Sequence, residues 1–130
     1  MRGVFNSSLL NVEKFQNELN KKTEYEQYEI ELNKEDNLLI INRNDILVSR
    51  NFNSFVKMSE SEFNQWVTGI EILYIEVQNE LIESFKKQGF DYEITLTINV
   101  YSSDNIFIGS INSNEHSLDY DYILKKIGVE

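Results

Sequence analysis

A chain of 130 residues with a formal net charge of -10, no cysteine, no proline and one histidine leaves few chemistries open. Thiol nucleophiles, thiolate metal sites and disulfides are excluded, and zinc would have only His116 to draw on. So acidic a chain also lacks the basic footprint of a nucleic-acid binder, so no direct nucleic-acid contact is expected.

Hydrophobic residues at 41% and charged residues at 26% match an ordinary globular protein, and the length suits one domain over residues 1–130. The start, Met1-Arg2-Gly3-Val4-Phe5-Asn6, turns polar too soon for a signal-peptide core. No apolar run approaches the roughly 18 residues of a membrane span. The absence of cysteine fits a reducing compartment. The expectation is a cytoplasmic protein with no membrane partner.

The first helical period runs from about Leu9 to Lys21, where Val12, Phe15 and Leu19 recur at three- and four-residue steps. Ser7, Ser8 or Asn11 supplies the cap. Tyr28, Ile30 and Leu32 then alternate with polar residues as a half-buried strand. Asn33 to Asn37 reads as a turn, and Leu38 to Ile41 as a central strand. Asn42-Arg43-Asn44-Asp45 reads as a second turn, and Ile46 to Val48 as a third strand. Asn51 to Lys57 has no clear pattern.

Ser59-Glu60-Ser61-Glu62 has the spacing of a capping box. Behind it Phe63, Trp66, Val67, Ile70, Leu73, Tyr74, Val77, Leu81 and Phe85 form one broad stripe. Gly89 sits where a left-handed cap belongs, with Phe90 as its apolar partner. The spacing predicts a helix from about Glu60 to Gln88, some 40 Å long at ~1.5 Å per residue. Ile72, Ile75 and Ile82 lie on a flank of it, either under a terminal helix or as a contact surface for a second copy.

Tyr92 to Tyr101 alternates without a break, and Ser102 to Asn105 turns it into a strand over Ile106 to Ile111. A last helix is expected from about Leu118 to Ile127, capped by Ser117 and stopped by Gly128. The expected order is α-β-β-β-α-β-β-α. It implies an α+β fold: an antiparallel sheet of about five strands, one long helix across a face, and shorter helices at both termini.

No glycine-rich phosphate loop is present. His116 reads as an exposed loop residue. Asn33 to Asn37 and Ser103 to Asn105 are oxygen-rich, but turn chemistry accounts for them better than calcium does, because neither has EF-hand spacing. Nothing in the spacing of the 22 acidic residues selects a catalytic pair. Hence no catalytic residue, no metal and no cofactor are expected. One stretch stands above the background. Glu24-Tyr25-Glu26-Gln27-Tyr28-Glu29-Ile30-Glu31 interleaves acids with tyrosines. Acids steer a cationic partner and tyrosine is a favoured anchor, so Glu24, Tyr25, Glu26, Tyr28, Glu29 and Glu31 form the candidate partner-binding set. The plainer alternative is an edge strand charged against aggregation. Alternation also places Tyr28 on the face of Ile30 and Leu32, where it would be core.

The layout resembles small acidic bacterial immunity and inhibitor proteins, including the nuclease-toxin immunity proteins of Gram-positive bacteria. The similar feature is a helix, then strands, then a long acidic helix ending Leu81-Ile82-Glu83-Ser84-Phe85-Lys86-Lys87-Gln88-Gly89-Phe90, then a hairpin. The resemblance implies a stoichiometric inhibitor without catalysis. Phage-encoded anti-defence inhibitors share this size and acidity and stay open beside it. The leading expectation is a non-enzymatic protein that masks a basic surface of a toxin or nuclease. The second is a structural subunit, a homodimer through Ile72, Ile75 and Ile82. A carboxylate enzyme ranks last.

Overall fold

Alternation, capping and turn residues account for most of the local structure. The computed structural model describes residues 11–113 and 117–126. Their elements are α1 (Val12–Asn20), β1 (Glu26–Asn33), β2 (Leu38–Ile46), α2 (Phe52–Val56), α3 (Glu60–Lys87), β3 (Glu93–Tyr101), β4 (Phe107–Asn112) and α4 (Tyr120–Lys126). The architecture is α+β, with one four-stranded sheet in the order β1-β2-β3-β4.

The long helix forms as its sequence dictates. The Ser59 hydroxyl accepts from the Glu62 N–H, and the Glu62 carboxylate accepts from the Ser59 N–H, closing the capping box. The Ser59 N–H, and the Ser59 hydroxyl beside it, hold the Glu62 carboxyl below its usual range. At the other end Gly89 takes φ +84°, the left-handed conformation that glycine adopts without a Cβ penalty. The Phe90 N–H reaches the Phe85 carbonyl at 2.9 Å and the Gly89 N–H reaches that of Lys86 at 3.0 Å, the paired bonds of a Schellman cap. Phe63, Val67, Ile70, Tyr74, Val77, Leu81 and Phe85 are buried along one face, while Trp66 and Leu73 are half-buried at its margin. Trp66 packs edge-on against Phe55 with centroids 4.9 Å apart.

The sheet differs from the expected one in two respects. There are four strands, not five, and the central pair is parallel. β2 runs unbroken from Leu38 to Ile46, straight through the expected turn at Asn42 to Asp45. The composition of that tetrapeptide is turn-like, but the alternation set by Leu39 and Ile41 continues into Arg43 and Asp45, both buried. Their mutual ion pair makes the burial tolerable. Leu47 and Val48 follow the strand instead of forming another. β2 and β3 are parallel because α2 and α3 carry the chain back between them; the short turns at Asn33 to Asn37 and Ser102 to Asn105 still give antiparallel hairpins. Asn37 and Asn105 hold positive φ in those turns.

The unpatterned stretch at Asn51 to Lys57 contains α2. Asn51 caps it, and the Asp104 carboxylate accepts from the Phe52 N–H at 2.9 Å, tying the helix to the β3–β4 turn. Asn11 caps α1 through the Lys14 N–H. Ser7, Ser8, His116, Ile127 and Gly128 lie outside the described residues. Ser117 does not cap α4: the Asp119 carboxylate takes the Asp121 N–H instead. Ser117 lies along β4, donating its N–H to the Ser110 carbonyl while its hydroxyl accepts from the Ser110 N–H.

The registers give the sheet two unlike faces. Tyr28, Ile30 and Leu32 lie beside Arg43, Ile41 and Leu39, and these beside Ile98, Leu96 and Ile94. This face carries the core under α3, where the Tyr74 hydroxyl donates to the Leu96 carbonyl at 2.8 Å. The opposite face bears Glu29, Glu31, Asn42, Asn44, Thr97 and Asn99. Among the described residues no helix lies over it, and its apolar members Leu38, Ile40, Ile46, Tyr101 and Phe107 stand outside the core cluster.

Candidate partner-binding face and the buried Arg43 network

β1 divides the acid–tyrosine stretch between the two faces of the sheet. Glu29 and Glu31 are exposed on the open face. Tyr25 precedes the strand, is 40% exposed, and accepts the Ile46 N–H on its carbonyl at 2.8 Å. Continued alternation sets Tyr25 on the same side as Glu29 and Glu31. Glu24 is exposed in the preceding turn. Glu26 and Tyr28 point to the helix side, where both meet Arg43. The six candidate residues therefore do not share one surface.

Two features of the open face escaped sequence reading. The first is a cross-strand row. Ile46 pairs with Tyr101, Tyr101 pairs with Phe107, and Tyr25 bonds to Ile46 on the far side. Ile46, Tyr101 and Phe107 cross β2, β3 and β4, and Tyr25 continues the row in the turn before β1; each is partly exposed, with the Tyr101 and Phe107 rings 5.5 Å apart and edge-on. The second is its charge. Glu29, Glu31 and Glu93 are its acidic strand residues, and no Lys or Arg accompanies them among the described strand residues of that face. Between acids and aromatic row lies an amide ladder in which the Asn99 side chain donates to that of Asn44 at 2.9 Å. Only the register reveals the row, because its members come from four separate segments.

The helix side holds a buried cation. Arg43, 4% exposed, donates through Nε and Nη2 to the two Asp45 oxygens at 2.7 and 3.0 Å. Its Nη2 also lies 3.0 Å from Glu26 Oε2, and its Nη1 donates to the Tyr28 hydroxyl at 3.3 Å. Burial pushes the Asp45 carboxyl up, and the Arg43 hydrogen bonds and charge offset part of that rise. Burial works against the Arg43 charge as well, yet the Asp45 bonds and the surrounding negative groups raise it above the usual guanidinium value. Burial also raises the Tyr28 hydroxyl, with Arg43 acting against it. One charge-assisted fork thus fills two core-facing positions of a central strand.

Above this network is a cavity of about 440 Å³. α1 and α3 supply its apolar walls through Phe15, Leu19, Leu73, Val77 and Leu81, and Lys22, Thr23, Glu80 and Ser84 surround the rest. Ile72 and Ile75 are each 55% exposed on α3, and Ile82 is half-buried.

The two oxygen-rich loops are consumed by turn bonds. The Asn33 amide donates to Asp36, whose N–H returns to Asn33, and Asp104 accepts from Ser102 and Phe52. Among the described residues no three His, Cys, Asp or Glu side chains gather to hold a metal ion. No described helix is long and apolar enough to cross a membrane. No family model, no curated protein and no solved structure matches the chain.

Proposed function

We propose that this protein is a stoichiometric, non-catalytic binder of the immunity or inhibitor type, and that its open sheet face covers a basic surface of a partner protein. One observation carries the reading: an aromatic and aliphatic row, Tyr25, Ile46, Tyr101 and Phe107, crosses a face whose described strand residues include three glutamates and no lysine or arginine. Aromatic side chains at the centre of a contact supply affinity, and charge around them supplies steering and on-rate. The overall charge of -10 extends the same field.

The test is kinetic. A partner captured from the native host is purified, and its association is followed against salt. A basic partner whose association slows as the Debye length falls from about 10 Å at 0.1 M to about 3 Å at 1 M supports the reading. Reversing Glu29→Lys and Glu31→Lys slows association, and Tyr101→Ala chiefly speeds dissociation. An acidic partner with a salt-insensitive rate rejects it.

A second reading, a structural subunit that pairs with itself, rests on Ile72 and Ile75, both largely exposed one turn apart on α3. Sedimentation then shows a dimer that Ile75→Glu disperses; a monomer at every concentration rejects it.

A further inference from the structure

The open face changes character from end to end, and the registers fix where. At one end Glu31 lies beside Ile40, and Glu93 beside Leu38. Both glutamates are exposed, and Leu38 and Ile40 lie half-buried on β2 between them. Glu29, the third acid, stands one rung further in, beside Asn42. At the other end is the row of Tyr25, Ile46, Tyr101 and Phe107, and Val48, 61% exposed, follows two residues past Ile46. The rungs between carry amides and hydroxyls, with Asn42 beside Thr97 and Asn44 beside Asn99. From Ile40 to Ile46 the strand advances ~20 Å, at ~3.4 Å per residue.

A partner meets these two ends across the face, not along an edge. On β1 the Asn20 amide takes both outward backbone groups of Tyr28, and Gln16 takes the Ile30 N–H. On β4 Ser117 takes the N–H and carbonyl of Ser110. Strand addition is closed at those positions. Across the face, each end suits a different chemistry. Lysine and arginine lay their aliphatic stems on apolar side chains and keep their heads in water beside carboxylates, as the Leu38–Ile40 end allows. The Tyr101 end rewards an apolar anchor that excludes water.

We propose that the open face is a two-ended address, selecting a partner protein whose lysine or arginine cluster and apolar anchor are held ~20 Å apart, the cations over Leu38 and Ile40 and the anchor over Ile46 and Tyr101. This rests on the reading of the face as the contact surface, and adds the spacing and direction that the partner must match. Net charge alone attracts any basic protein. Two separated chemistries reject a protein that carries only one of them, or carries both intermixed.

A peptide series measures the spacing. Three lysines at one end and a Trp-Leu-Trp anchor at the other are joined by two, six or ten prolines, a semi-rigid spacer of ~6, ~19 or ~31 Å at ~3.1 Å per residue. Each peptide is titrated into the full chain. Amide resonances are followed at Glu31 and Glu93 for the cationic end, and at Tyr101 and Phe107 for the apolar end. The six-proline peptide moves both sets together and binds about fivefold tighter than the other two, because tethered ends gain most when the linker matches the span. Glu31→Gln with Glu93→Gln abolishes the shifts at the cationic end and flattens the series; Tyr101→Ala abolishes those at Phe107 and flattens it too. Equal affinity across the three spacers, a series that the double glutamine variant leaves unchanged, or resonances that no peptide moves each overturns the proposal. A basic partner captured from the host together with a flat series rejects the two-ended address alone, whereas an acidic partner with a salt-insensitive rate rejects the contact surface itself.

Discussion

At the scale of single residues, Arg43 and Asp45 are where composition misleads. Asn42-Arg43-Asn44-Asp45 has the makeup of a turn, yet its odd-numbered members are 4% and 6% exposed on a central strand. Only their parity with Leu39 and Ile41 marked them as inward, and a period of two over four polar residues is a weak signal against four turn-forming side chains. Removing one partner leaves the other charge buried without its fork. Arg43→Met should therefore cost about 3–5 kcal/mol. The double change Arg43→Met with Asp45→Leu should restore the parent's stability or exceed it, because an apolar pair needs no desolvation of charge. Urea titration of the three proteins decides; a double variant as weak as the single one means the site cannot repack. Asp104 has the opposite pH signature from Asp45. The Ser102 hydroxyl and the Phe52 N–H hold its carboxyl below the ordinary value of about 3.9. A depressed folded pKa gives stability that is present above the unfolded value and lost as pH falls through the folded one. The melting deficit of Asp104→Asn should be full at neutral pH and should close in strong acid. A deficit that is constant with pH would show that the amide's geometry, not the charge, sets it.

At the scale of elements, what is local was legible and what is relational was not. α3 could be read to within a residue at both ends, because its capping box and its Gly89 cap are short-range devices. β1, β3 and the two hairpin turns followed from alternation and from asparagines that accept positive φ. The parallel β2–β3 pairing was not legible, since it depends on where a long connection returns the chain. The sheet edges were not legible either. Gln16 and Asn20, four apart on α1, bond to the backbone of Ile30 and Tyr28, two apart on β1. The match is metric: four helical residues rise ~6 Å and two strand residues ~6.8 Å. Side-chain amides thus stand in for a fifth strand on one edge, as Ser117 does at Ser110 on the other, which blunts both edges against pairing. Two glycines on these elements separate space from conformation. A Cβ at Gly69 meets nothing within 4 Å, so Gly69→Ala should stabilise α3 by about 0.5–1 kcal/mol through its helix propensity. A Cβ at Gly109 would stand 2.8 Å from both Leu118 Cδ2 and the Ser117 carbonyl oxygen. Gly109→Ala should cost about 1–3 kcal/mol and pry Ser117 off β4. Thermal melts give both signs, and faster exchange of the Ser110 amide reports the lost edge. If Gly69→Ala proves destabilising, something covers that part of α3.

At the scale of the whole molecule, a charge of -10 works against the compact state while it serves long-range attraction. The open face concentrates this conflict. Glu29 and Glu31 stand two apart on one strand, both exposed, with no cation among the strand residues beside them. Their carboxylates are separated by roughly the ~6.8 Å of two strand residues, well inside the ~30 Å Debye length at 0.01 M salt and close to the ~8 Å at 0.15 M. Repulsion between them should therefore be felt in dilute buffer and largely screened in physiological salt. Glu29→Gln with Glu31→Gln should raise stability by roughly 0.2–1 kcal/mol at low salt, and the gain should fade as salt is added. If the face covers a basic partner, the same variant should bind it more slowly at low salt and converge with the parent at high salt, where steering is lost for both. The two measurements pull in opposite directions on one pair of residues, so they discriminate. A gain in folding stability with slowed association identifies the glutamates as charges kept for the partner at the expense of the fold. No change in either would mean that the surrounding amides and hydroxyls already screen the pair, and would remove Glu29 and Glu31 from the steering role.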